Sequence, residues 1–567
     1  VKLPGTLEGH SPYNDDLVKD AATKADNLGC RYFFTWNVNR FVLFDRQKYD
    51  VPPLDRRIKD WSLGLQLSKP ADVGRPDVLA YVRDKFLPGF LSEFAEIFLE
   101  RKPDWGMPPD DIFIKSLESH LEWPMLLTRD WLAVESERDR TFSLRLLGWM
   151  TDEQQWTVLR GDPTEWRHAL DRAAQTLCYV LSNRIIFYEA IRVRQPGLPK
   201  LAIPPRIADG DAAYKHFQRR FQQAVEATGD YEPLFHPQEQ KDWAGPLIFR
   251  SPGALDAWRA VLRSVEGYNL RTVPHDVVGK IFQRLISPEE RHKFGQHFTH
   301  EDVVDVINAF CIRRPDAVVL DPSCGSGSFL VRAYHRKAWL SEQPSAAPGE
   351  GRYHKSHQEL LQEIFGCDIA LFPAHLATLN LAARQIEKEE NYPLIARRNF
   401  FDVDRGQPFC QVPGARVGKH REMRDVPVPE FHAIVGNPPY VRQELIPRRD
   451  QRAPVSQTKE YLQQLVSDAW PGLELSGRSD LHCYFWPAAC RFLRDSGYFG
   501  FLTSSSWLDV EYGFPLQAWI LCHFKLIAII ESTDEPWFEA ARVKTCATLL
   551  QRCRDEAKRM DNKVRFV

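Results

Sequence analysis

None of the eleven cysteines forms a Cys-x-x-Cys pair; they lie scattered from Cys30 to Cys553. That spacing argues against a zinc ribbon or a disulfide framework and reads as reduced thiols of a cytoplasmic protein with no metal site. The chain also lacks an uninterrupted apolar run of membrane-spanning length and a signal peptide, so no membrane is expected as a partner. It has almost no charge excess: 74 Lys and Arg stand against 76 Asp and Glu, for a net charge of −2. A protein that grips a long duplex alone is usually more basic. Either the basic surface is local, or another segment or subunit carries much of any nucleic-acid grip. Two cofactor signatures are missing as well. There is no Gly-x-Gly-x-x-Gly, which disfavours NAD, and no Gly-Lys-Ser/Thr, which excludes a P-loop. The first residue is Val1 rather than Met, and its neighbours read as the middle of a domain, so residues upstream are expected.

With 567 residues, 43% hydrophobic and 26% charged, the composition is that of a globular protein too long for one core. Three stretches are expected. Residues 1–60 read as a small α/β piece, with a helix near 16–28 and strands near 31–36 and 40–45. The strands are joined by Asn37-Val38-Asn39, a hairpin-type turn signal. Residues 61–270 are rich in Trp, Arg, Leu and Pro and mainly helical. Phe86, Phe90, Phe94, Ile97 and Phe98 fall on one helix face, and 170–194 is a second long helix. No chemical motif stands out there; a DNA clamp, a docking bundle and a plain spacer remain open. Residues 271–567 carry the chemistry.

The stretch Ile434-Val435-Gly436-Asn437-Pro438-Pro439-Tyr440 is an apolar run that stops in Asn-Pro-Pro-aromatic. Two prolines cannot continue a ladder, so a buried strand ends there, and open α/β sheets place ligands at strand carboxyl ends. The Asn437 amide oxygen and the Pro438 carbonyl can each accept a hydrogen bond from one planar NH2 group, while Tyr440 offers a flat face to a ring. This suits the exocyclic amine of a nucleobase.

Upstream, Ala317-Val318-Val319-Leu320-Asp321 reads as a second buried strand, running into Pro322-Ser323-Cys324-Gly325-Ser326-Gly327-Ser328-Phe329 and a helix. Gly325 and Gly327 allow a tight βα turn with close approach to a ligand. Asp321 suits an ammonium. A strand over 364–369 places Asp368 to accept from ribose hydroxyls. Asn399 is placed for an adenine edge and Phe400 for stacking on its ring, against an alternative reading as an apolar strand end. Lys293-Phe294-Gly295-Gln296-His297-Phe298-Thr299 suits the amino-acid end of a methyl donor, or a helix cap at Thr299 with buried aromatics. Arg442, Arg448 and Arg449 are candidate phosphate contacts on a loop that is otherwise solvated. Trp507 and Tyr512 are candidates for the second face of an extruded base; a core position for Trp507 is the alternative.

Taken in order, Gly-Gln-His-Phe-Thr, Asp-Pro-Ser-Cys-Gly-Ser-Gly-Ser-Phe, Asp368, Asn-Pro-Pro-Tyr and Thr-Ser-Ser-Ser-Trp-Leu resemble the γ-type N6-adenine DNA methyltransferases. The resemblance covers roughly 270–550 and departs at His300, where the family commonly has Pro. The helical region before it is similar to that of type I modification subunits and of large phage-defence methyltransferases of the BREX or DISARM kind. The resemblance implies a Rossmann-like class I methyltransferase domain with a mixed seven-stranded sheet and S-adenosylmethionine as cofactor. Thr299, Asp321, Gly325, Gly327, Asp368, Asn399 and Phe400 would line the donor pocket, and Asn437, Pro438, Pro439 and Tyr440 would form the catalytic motif. It implies double-stranded DNA as substrate and allows other restriction or defence subunits as partners; too little chain follows Leu550 for a target-recognition domain, which is then absent from this sequence, supplied by a partner, or disordered. The small N-terminal piece resembles the later half of a PD-(D/E)XK nuclease fold, with Lys2 as its lysine; a structural cap without chemistry is the other reading. The competing functions are methylation of another planar amine (cytosine N4, RNA guanine or protein glutamine) and a non-catalytic recognition or scaffold subunit.

Overall fold

The computed structural model describes all residues except 1–9, 48–52, 64–66, 68–69, 100–108, 155, 157, 159–161, 193–194, 196, 229–242, 267–299, 344–353, 386–390, 418–419, 450–453 and 533–543. The chain divides into two compact units: 1–147 with 158–227 and 235–277, and 148–157 with 228–234 and 278–567.

The first unit opens with helix α1 (Asp15–Leu28). Asn14 starts it by accepting from the Asp16 and Leu17 amides at 3.1 and 3.2 Å, and Gly29 ends it in the left-handed conformation at φ 66°. Strands β1 (Tyr32–Trp36), β2 (Arg40–Asp45) and β3 (Arg57–Ser62) form one antiparallel sheet in that order. The turn at Asn37-Val38-Asn39 puts Val38 at φ 75°, which matches the hairpin signal. Helix α2 (Leu87–Phe98) lays its phenylalanines in a file, Phe86, Phe90 and Phe94 each 6.0 Å from the next. Phe90 rests on Phe41 at 4.5 Å and on Trp61 at 5.0 Å. Two long helices follow, α3 (Pro109–Arg138) and α4 (Pro163–Arg192). Arg40 on β2 donates to Asp60 on β3 and to Glu122 on α3, both at 3.1 Å. Such ties place the small α/β piece and the helical stretch in one unit. Lys2, the residue proposed for a nuclease lysine, lies outside the described residues.

The second unit is built on an eight-stranded sheet. Its strands are β4 (Val319–Asp321), β5 (Ile364–Asp368), β6 (Leu394–Arg397), β9 (Phe431–Gly436), β10 (Leu493–Ser504), β11 (Phe524–Glu531), β12 (Thr545–Arg552) and β13 (Arg565–Phe566). A separate hairpin of β7 (Pro408–Val417) and β8 (His420–Pro427), not anticipated from sequence, stands between β6 and β9. The sheet order is β13-β11-β12-β10-β9-β4-β5-β6. Strands β6, β5, β4, β9 and β10 run parallel, and β12 runs antiparallel to both β10 and β11. The expected mixed sheet has seven strands; the eighth is the short edge strand β13, parallel to β11.

The central strands are apolar throughout because both faces are covered. Val319 and Val435 join one core cluster and their neighbours Leu320 and Ile434 the opposite one, following the two-residue period of a strand. Helices α5 (Glu301–Cys311), α6 (Ser328–Glu342) and α7 (Leu371–Ala382) cover the β4 and β5 region; α8 (Lys459–Ala469), α9 (Leu481–Cys490) and α10 (Phe514–His523) follow. From β4 the chain proceeds to β5 and β6 on one side, then returns to β9 and β10 on the other. The order therefore reverses between β4 and β9, which is where open α/β sheets leave a crevice for ligands.

Candidate active site

Strand β4 ends at Asp321, which is 1% exposed. Its Oδ1 accepts from the Ser323 amide at 3.0 Å and starts the turn into α6. Gly325 and Gly327 take left-handed conformations at φ 53° and 84°, and a Cβ on Gly327 would lie 3.1 Å from the Ala377 backbone. Only glycine satisfies both the backbone angle and the helix packing there. At Gly325 a Cβ would meet no heavy atom within 4 Å, so the turn presents an open side. Asp368 at the end of β5 closes the turn from the other side, accepting from the Gly325 amide at 3.0 Å and the Ala370 amide at 2.9 Å.

Burial acts on both carboxyls. It pushes Asp321 up to about 8, with the neighbouring Asp368 adding to the rise, and Asp368 up to about 6. A carboxylate this buried is stabilised by an ammonium brought beside it.

Strand β9 reaches the same place. A Cβ on Gly436 would lie 2.7 Å from Asp321 Oδ1, so a glycine is required for β9 to pass the aspartate and deliver Asn437 beyond it. Pro438 is buried, while Asn437 and Tyr440 are half-buried. The Tyr440 ring meets His482 edge-on at 6.2 Å and packs on the cluster that holds Val304, Ile307 and Leu502. Burial holds its phenol well above the usual range and pulls His482 down to about 4, so both stay neutral. The fold thus brings together Asp321, Gly325, Gly327, Asp368 and the Asn-Pro-Pro-Tyr segment.

The two aromatic expectations at Phe400 and Trp507 need correction, and Asn399 has partners that the sequence did not show. Asn399 is committed internally: its Oδ1 caps the Phe401 amide at 3.2 Å, and its Nδ2 donates to Ser456 O at 3.1 Å and Oγ at 3.2 Å. Phe400 is 3% exposed and stacks on Phe485, so neither face is open to an adenine. Trp507, 2% exposed, sits in the core beside Trp486 and cannot stack on an extruded base. The cause is the same for both aromatics: a run of large apolar residues fills the interior before it serves a ligand. Tyr512 remains half-buried, with its hydroxyl 2.6 Å from Ser506 Oγ. Arg442, Arg448 and Arg449 are exposed on the loop after Tyr440. Thr299 lies outside the described residues, and α5 is capped by His300 instead. Sequence reading missed Lys459 and Asp480, which bind the loop after Tyr440. The only signal for Asp480 was its place just before a helix.

Part of this chain is similar to known proteins. Residues 362–538 match the family described as Eco57I restriction-modification methylase. The type II methyltransferase M.PaeR7I of Pseudomonas aeruginosa is 24% identical over 258 residues, 43% of this chain and 38% of that protein. The type II methyltransferase M.XhoI of Xanthomonas vasicola is 29% identical over 143 residues, 25% of this chain and 23% of that protein. The matches thus span well under half of either relative. Among solved structures, the DrdV–DNA complex aligns over 97% of this chain and 49% of its own at TM-score 0.46 and 15% identity. The cofactor implied is S-adenosylmethionine, and the site fits it: among the described residues a Cβ at Gly325 would meet open space, and the buried Asp321 carboxyl suits the donor's ammonium.

Proposed function

We propose that this chain methylates adenine N6 in double-stranded DNA as part of a restriction-modification or phage-defence system. The observation that carries this reading is the placement of Asn437-Pro438-Pro439-Tyr440 at the carboxyl end of β9, against Asp321 at the end of β4, where the sheet order reverses. Bound S-adenosylmethionine supplies an electrophilic methyl group on a sulfonium. Asp321 holds the donor's ammonium, Asp368 its ribose hydroxyls, and the Gly325 turn lets the backbone come close.

An adenine inside a duplex cannot reach this crevice, so the base is flipped, at a cost of a few kcal/mol of unstacking. Stacking on Tyr440 offsets about 1–3 kcal/mol of that. Asn437 and the Pro438 carbonyl accept the two N6 hydrogens. This draws the nitrogen lone pair out of ring conjugation and aims it along the line of displacement. Rate enhancement comes from positioning and preorganised acceptors, with no covalent enzyme intermediate. Arg442, Arg448 and Arg449 contact phosphates on the rim.

Incubating the full chain with labelled donor and plasmid DNA, RNA or protein, followed by mass spectrometry of the digests, tests this. N6-methyladenine in the DNA is the expected product. Label only in cytosine, RNA or protein would replace the acceptor, and label in none would favour a recognition subunit.

A further inference from the structure

Beyond Tyr440 the chain is braced at successive points. The Val441 carbonyl accepts from the Leu481 amide at 2.9 Å, and the Gln443 amide donates to Asp480 Oδ1 at 2.9 Å. Lys459 is 6% exposed. Its Nζ donates to Gln443 O at 2.8 Å, Gln443 Oε1 at 3.1 Å and Gly477 O at 2.8 Å, while its own amide donates to Pro447 O at 2.8 Å. Three ammonium protons thus meet three uncharged oxygens, two of them on Gln443.

The second oxygen of Asp480 accepts from the Tyr512 hydroxyl at 3.3 Å. That hydroxyl pairs with Ser506 Oγ at 2.6 Å, which pairs in turn with Ser504 Oγ at 3.0 Å. Ser504 is the last residue of β10. One carboxylate therefore joins the loop after β9 to the loop after β10, two neighbouring parallel strands that pair Gly436 with Phe501.

Burying the Lys459 ammonium and half-burying the Asp480 carboxylate is costly, and apolar packing would hold two loops more cheaply. What the polar pair adds is direction: hydrogen bonds fix the peptide of Gln443 at a defined orientation, six residues past Asn437. We propose that Asp480 and Lys459 are positioning residues for methyl transfer, clamping the Asn-Pro-Pro-Tyr segment between β9 on one side and the fixed Gln443 on the other. This rests on the function proposed above.

The test compares full-length Asp480→Ala, Lys459→Met and Asp480→Asn with the wild type. Hydrogen exchange over residues 441–447 reads the brace without any substrate: exchange quickens in Asp480→Ala and Lys459→Met, and unchanged exchange would overturn the clamp. On plasmid DNA, both variants lose kcat by roughly 10²-fold, the scale of a misplaced catalytic group, while calorimetric donor affinity holds. Asp480→Asn, which keeps an acceptor for Gln443, recovers most of the rate. Wild-type kcat in Asp480→Ala, or a loss that follows donor affinity, would refute the positioning role. Should the alanine variant fail to fold, Tyr512→Phe removes one arm only: a reduced kcat at unchanged donor affinity supports the clamp, and an unchanged kcat counts against the link to β10. If the wild type transfers no methyl group to DNA, the proposed function fails while the exchange result still decides the brace.

Discussion

Among single residues, the proposed function depends most on Asn437 and Asp321, which stand at the ends of neighbouring strands. Asn437→Ala removes one acceptor and should abolish transfer to DNA while leaving donor affinity unchanged by calorimetry; methylation at the wild-type rate would remove Asn437 from the mechanism. Asp321 gives a pH prediction. Its carboxyl stands at about 8 in the folded chain against roughly 4 when unfolded. Between these values the folded protein keeps a proton that the unfolded chain releases. The contribution to stability is therefore complete below the unfolded value and is lost as pH rises through the folded one. Asp321→Asn keeps the acceptor for Ser323 and removes the titration. The wild type should lose more stability than this variant between pH 6 and 8 in urea unfolding, and parallel curves would show that Asp321 is not held protonated. Asp321, Asp368 and Asn437 were legible because each follows an apolar run at a strand end. Asn399 and Phe400 followed the same logic, but Phe400 is buried in the core and Asn399 is tied to Ser456. Their partners, Ser456 and Phe485, lie far along the chain, and adjacency of that kind leaves no local mark.

At the scale of elements, the βα turn after β4 is the most constrained piece. Gly327→Ala must adopt φ 84° and press a methyl to 3.1 Å from Ala377. A non-glycine residue in such a region costs about 1–3 kcal/mol. The expected result is a lower urea midpoint at unchanged slope, with weakened donor binding; wild-type stability would mean that the turn relaxes. Strand and helix identities could be read from the periods of the sequence, and α1, β1, β2, β4, β5 and β9 stand close to where those periods put them. The β7–β8 hairpin could not be read this way. Its strands are rich in Pro and charge, and they pair with each other rather than with the main sheet.

Over the full chain, the charge balance of −2 leaves any duplex grip to local basic surface or to another segment or subunit. If Arg442, Arg448 and Arg449 are phosphate contacts, replacing each with alanine should weaken DNA binding evenly across sequences and reduce the slope of log K against log salt by about 1. An unchanged slope would assign them to the solvated rim. Among the described residues, no helix is long and apolar enough to cross a membrane.

The order of the chemical motifs, the βα turn and the abrupt strand end at Asn437 could be read from the chain alone, because glycine geometry and proline's missing donor act locally. That β4 and β9 lie side by side, with a Cβ on Gly436 falling 2.7 Å from Asp321 Oδ1, could be learned from the folded chain and nowhere else. The same holds for the joining of two loops by Asp480 and the burial of Trp507. These depend on which distant segments share a core, and packing selects that over the whole unit at once.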